Sequence, residues 1–140
     1  MKIGIYGGTF NPPHLGHLAA ARTALDALKL DKLILMPAAV PPHKVLPENS
    51  PAQEHRLAMV ERMADAMERP GAVEVSTLEL ERDAILAQAM ARGETQVTLP
   101  AYPHGEYMWD GDSVKVQSRY YYETPGDLTV TYVPEGEWEA

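Results

Sequence analysis

Residues 1–82 predict an α/β fold, a Rossmann-like parallel sheet in β-α-β-α-β order, and residues 83–140 predict an atypical β-rich segment. Three observations carry this. Short apolar runs lie at 2–6, 33–36 and 73–75. The stretches between them have helical periodicity, and strands that alternate with helices bury best as a parallel sheet with helices on its faces. Beyond residue 83, after one more short helix, the apolar residues recur in strand-like runs.

Lys2–Tyr6 is a short strand stopped by Gly7 and Gly8. In 15–29, Leu15, Leu18, Ala21, Leu25 and Leu28 share one helix face. Leu33–Met36 is the second strand, ended by Pro37. Ala38–Asn49 is a loop stiffened by Pro41, Pro42 and Pro47. The second helix has a start signal: Ser50 as cap, Pro51 in the first turn and Gln53 completing a capping box. Leu57, Val60, Ala64 and Met67 line its inner face, and Arg69-Pro70-Gly71 ends it. Val73–Val75 is the third strand. Asp83–Arg92 reads as a helix capped by Asp83 and stopped by Gly93. Gln96–Leu99, Ser113–Tyr122 and Leu128–Val133 read as strands, the last two joined in a hairpin by the turn Thr124-Pro125-Gly126-Asp127.

Charge divides the chain at the same place. Of the net −8, residues 1–82 carry −1 and residues 83–140 carry −7. An acidic second half argues against general binding to nucleic acid, which needs clustered Lys and Arg. No membrane span is expected: the first apolar run breaks at Gly7, and Leu33–Val40 is short and contains Pro37. With no cysteine there are no disulfides or thiolate zinc sites, which suits a reducing cytoplasm. None of these features fixes an oligomeric state. Tyr102, Tyr107, Trp109 and Tyr120–Tyr122 read as strand aromatics before a binding surface, and Asp110 and Asp112 around Gly111 as a turn before a cation loop.

The chemistry concentrates in residues 3–17, IGIYGGTFNPPHLGH. Gly7 and Gly8 after a strand let a phosphate approach the backbone without meeting a Cβ. Thr9 adds a hydroxyl, and Pro12 and Pro13 stiffen the entry to the helix. Unpaired amides at a helix start favour an anion. His14 and His17 share a face of the first turn, where both can donate to phosphate oxygens, and Gly16 keeps that turn slim. A zinc site would need a third ligand, and none is obvious nearby, so no metal ligand is assigned.

The run Gly7-Gly8-Thr9-Phe10-Asn11-Pro12-Pro13-His14-Leu15-Gly16-His17 resembles the nucleotidyltransferases that carry a His-x-Gly-His motif. Among them it is most similar to the bacterial nicotinate-nucleotide adenylyltransferases. Pro41-Pro42-His43-Lys44, the run Glu54-His55-Arg56-Leu57-Ala58-Met59-Val60 and Leu78-Glu79-Leu80-Glu81-Arg82 add to that similarity, which covers residues 1–82. The resemblance implies adenylyl transfer from ATP to nicotinate mononucleotide, with Mg²⁺ accompanying ATP and pyrophosphate released, as a step of NAD biosynthesis. It implies that Gly7, Gly8, Thr9 and Phe10 line the nucleotide site. His14 and His17 would grip the phosphates, and Lys44 would add a cation. No covalent nucleophile is implied, so positioning and charge neutralisation would carry the rate.

After Arg82 the family pattern continues with Ser-Tyr-Thr, where this chain reads Asp83-Ala84-Ile85-Leu86. The family's second phosphate motif, a Ser/Thr-rich turn followed by Arg, has no counterpart in residues 83–140, whose arginines are Arg92 and Arg119. Two other readings therefore stay open: a non-catalytic nucleotide-binding fragment or chimera, and an acidic β-rich protein-interaction module.

Overall fold

The computed structural model describes residues 1–39, 46–101, 128–133 and 137. The chain forms two compact units, Met1–Glu79 and Leu80–Ala140.

The first unit runs β1 (Ile3–Gly8), α1 (Leu15–Ala27), β2 (Lys32–Pro37), α2 (Gln53–Asp65) and β3 (Val73–Val75). Its sheet is parallel throughout, in the order β1-β2-β3. The central strand β2 is buried from Leu33 to Pro37, so both of its faces are covered. Leu33 and Leu35 pack with Ala21 and Leu25 of α1, with Val60 and Met63 of α2, and with Met67 and Phe10. Each such aliphatic side chain contributes about 1.5–3 kcal/mol through burial.

The strand ladder extends past the boundaries the sequence suggests. Gly7 and Gly8 pair with Met36 and Pro37 as the last residues of the strand, rather than forming the turn after it. Pro37 is tolerated because the Ala38 N–H, beyond it, donates to the Gly8 carbonyl at 2.9 Å. The glycines therefore close β1 at its carboxyl end.

Two helix starts need correction. Ser50 does not cap α2: the N-cap position is Ala52, with no side-chain bond. The Ser50 hydroxyl instead accepts from Asn11 Nδ2 at 2.9 Å, tying its loop to the segment after β1. The third helix, α3 (Leu78–Ala91), does not begin at Asp83 but five residues earlier. Ser76 Oγ accepts the Leu78 N–H at 3.3 Å in front of it. The spacing Ser76-x-x-Glu79 is a capping-box signature.

In the second unit, α3 ends as predicted at Gly93. That residue takes the left-handed φ of +69°, and the Glu94 N–H returns to the Ala89 carbonyl. The strands β4 (Gln96–Pro100) and β5 (Thr129–Val133) pair in parallel. Val97, Leu99 and Val130 face Leu86 and Ala89 of α3, with Leu128 completing the cluster. Arg82 of α3 is fully buried, its guanidinium 5.1 Å from the Tyr132 ring centre. A parallel pair requires a crossover between its strands. The strand expected at 113–122, the hairpin turn at 124–127, and the aromatic and acidic features at 102–122 lie outside the described residues. No helix among the described residues is long and apolar enough to cross a membrane.

Candidate functional site

The carboxyl end of β1 and the amino end of α1 meet around two histidines. Ligands of open α/β sheets bind at this end of the strands. His14 is the N-cap residue of α1, in extended conformation, and forms a capping box with His17. The two close it reciprocally: His14 Nδ1 accepts the Gly16 N–H at 3.1 Å, and His17 Nδ1 accepts the His14 N–H at 3.2 Å. The ring centres are 3.9 Å apart. Here histidine does what Ser and Glu do in an ordinary capping box. One of the helix-start amides read from sequence as open to an anion, that of Gly16, is thus taken up by His14.

Gly16 has a specific steric role. A Cβ there would lie 2.9 Å from His14 Cε1 and 3.0 Å from its Nδ1, so the imidazole folds back over this residue only because it is glycine. Gly8 is constrained in a similar way, since its Cβ would press on the Phe10 ring at 3.3 Å. Gly7 is exposed, and a Cβ there would meet only the Met36 carbonyl, at 3.9 Å.

Phe10 turns its side chain inward. It is 1% exposed, packs edge-on to Tyr6 and sits 5.1 Å from the His17 ring, so its side chain is a core group. Its φ of +47° is unusual for a residue with a side chain. Thr9 is half-buried, and its carbonyl accepts from Arg56 Nη1 at 2.7 Å. The structure thus brings Gly7, Gly8, Thr9, Phe10, His14 and His17 into one turn. Lys44 lies outside the described residues. Arg56 carries no signal of its own in the sequence beyond the run Glu54–Val60; its buried contacts make it part of this neighbourhood.

Compared with known protein families, residues 5–124 match the cytidylyltransferase-like family. The chain belongs to the cytidylyltransferase-like family. Its family match continues past Arg82, through α3 and β4. Curated relatives include proteins named probable nicotinate-nucleotide adenylyltransferase. The one from Gemmatimonas aurantiaca is 44% identical over 82 residues, covering 59% of this chain and 36% of that protein. The one from Pseudomonas aeruginosa strain UCBPP-PA14 is 46% identical over 82 residues, with the same coverage. The one from Salinibacter ruber is 44% identical over 85 residues, covering 61% of this chain and 42% of that protein. The matched stretch thus spans about two-fifths or less of these relatives. Over that stretch the chain is similar to nucleotidyltransferases.

The hydrogen bonds of this cytidylyltransferase-like turn assign its tautomers. Each Nδ1 accepts an amide proton, so each neutral ring carries its own proton on Nε2. The cap thereby leaves two N–H donors on adjacent rings. His17 has its pKa lowered, first by burial and then by the neighbouring His14, which favours this neutral form. The first turn of α1 contains no acidic residue to repel an anion. Beside His14, an open groove of about 450 Å³ is lined by Leu15, Leu18, Met59 and Met63, with Pro13 and Arg62. Among the described residues no group of three or more His, Cys, Asp or Glu side chains could hold a metal ion.

Proposed function

We infer that this chain transfers the adenylyl group of ATP to nicotinate mononucleotide, releasing pyrophosphate and giving nicotinate adenine dinucleotide. The observation that carries this reading is the reciprocal histidine cap, which leaves two Nε2–H donors at the carboxyl end of β1. The mononucleotide phosphate attacks the α-phosphorus as the bond to the pyrophosphate oxygen breaks, so no protein nucleophile is needed. His14 and His17 donate to the phosphate oxygens and offset the charge that develops there. The Gly7–Gly8 backbone, Thr9 and the Phe10 backbone line the phosphate path, and Lys44 adds a cation. Mg²⁺ belongs to the substrate side of this scheme, entering on the triphosphate, whose oxygens suit it as ligands. As a step of NAD biosynthesis, the reaction is assigned to the cytoplasm.

The experiment is pyrophosphate release with ATP, Mg²⁺ and nicotinate mononucleotide, comparing the wild-type chain with His17→Ala. Removal of one such donor costs about 10²–10³ in rate. Equal background rates in both chains would refute catalysis. A second reading, nucleotide binding without turnover, is favoured by one observation: residues 83–140 hold no Ser/Thr-rich turn followed by Arg to grip the phosphates a second time. Calorimetric ATP binding with no pyrophosphate released would select it.

A further inference from the structure

Arg56 is 2% exposed, in the first turn of α2, and forms no ion pair among the described residues. Its fork is spent on backbone: Nη1 donates to the carbonyls of Thr9 at 2.7 Å and Ala38 at 2.8 Å, and Nη2 to that of Ala39 at 2.5 Å. Its Nε is buried without a partner among the described residues. Glu54 acts on this charge only from beyond ion-pair distance, and a buried charge with no carboxylate in contact is a poor way to fill a core, where an aliphatic side chain would stabilise better. What the three carbonyls share is their position. Thr9 follows β1, and Ala38 and Ala39 follow β2, so the guanidinium joins the segments leaving the carboxyl ends of two adjacent strands.

The consequence for the site is geometric. A trans peptide sends its N–H opposite to its C=O. Pinning the Thr9 carbonyl therefore turns the Phe10 N–H to the other side, and pinning Ala38 does the same for the Ala39 N–H. Phe10 also holds a left-handed φ of +47°, a conformation that persists only where its surroundings fix it. Arginine suits this task because its planar fork reaches several acceptors at once, whereas an ammonium is a single point.

We propose that Arg56 is a positioning residue of the nucleotide site, clamping the turn before His14 to the chain leaving β2 so that both are set before the nucleotide arrives. The proposal rests on the nucleotide-binding reading above. It predicts that Arg56→Lys, which keeps the charge and loses the fork, binds ATP about tenfold more weakly. Val60→Ala, a fully buried change on the same helix, controls for loss of stability and leaves ATP affinity within twofold or so of wild type.

The test is calorimetric ATP binding to the three chains, together with the backbone amide chemical shifts of Phe10 and Ala39. Weaker binding and displaced Phe10 and Ala39 shifts in Arg56→Lys alone support the clamp. Wild-type affinity in Arg56→Lys, or equal losses in both variants, overturns it. If the wild-type chain binds no ATP, the nucleotide reading fails by itself, and the shifts still decide the clamp: unchanged Phe10 and Ala39 shifts in Arg56→Lys overturn it. Should Arg56→Lys not fold, the wild-type chain serves. Slow exchange of the hydrogen-bonded Arg56 Nη protons is expected, and their free exchange contradicts the clamp.

Discussion

Gly16 separates function from stability at a single residue. Alanine favours a helix over glycine by up to about 1 kcal/mol. A methyl group at this position, however, would displace the His14 ring, whose Cε1 lies 2.9 Å from the Cβ site. Gly16→Ala should therefore melt close to the wild-type temperature, its helix-propensity gain offset by the lost His14 cap, while ATP affinity falls by roughly tenfold through the misplaced donor. Thermal unfolding and calorimetry on the same preparation check both halves. His17 supplies a pH signature. Burial, then His14, lower its pKa from the ordinary 6.5. The unfolded chain takes up this proton more readily, so the group's contribution is complete above about pH 6.5 and is lost as pH falls below it. Protonation also removes the Nδ1 acceptor that closes the cap. His17→Gln keeps an acceptor and cannot titrate. The difference in Tm between wild type and His17→Gln should move in the variant's favour from about pH 7.5 to about pH 5.5. A pH-independent difference would contradict the assignment. The sequence showed the histidines and their spacing, but not that they cap each other. Which atom an imidazole turns toward the backbone is set by the ring resting on Gly16, and spacing alone is silent on that.

Elements were legible where local signals and burial agree. The run Leu33–Met36 read as a strand because both of its faces are buried. Gly93 read as a helix stop because only the left-handed conformation it adopts would end α3 there. Ser50 misled because a capping-box pattern cannot show that Asn11, distant in sequence, claims the hydroxyl. Ser76 is hard to read because Asp83, farther along the same helix, offers a competing start signal. The two serines make a paired test. Ser76→Ala should cost about 1 kcal/mol as a lost helix start. Ser50→Ala should cost about 0.5–1.5 kcal/mol through the lost Asn11 bond, with α2 helicity unchanged. Denaturant unfolding, with helix-resolved hydrogen exchange, distinguishes these outcomes.

At the scale of the molecule, the second unit has a core of its own. Leu99 is completely buried in it, and Leu99→Ala should cost about 2–5 kcal/mol by chemical denaturation. A loss well below this range would contradict the packing described for β4 and β5. The strands β4 and β5 were legible in the sequence, but not their pairing, because they lie far apart along the chain and no hairpin signal joins partners that need a crossover. The family match to residue 124 nevertheless carries the likeness into it. Phosphate recognition depends on the state of two rings in the first unit. The most direct test is the side-chain ¹⁵N spectrum of His14 and His17 near neutral pH, recorded with and without ATP and Mg²⁺. Both rings should appear as the Nε2–H tautomer, with the Nε2 resonances shifting on nucleotide addition. Nδ1–H tautomers, or Nε2 signals indifferent to nucleotide, would contradict the account.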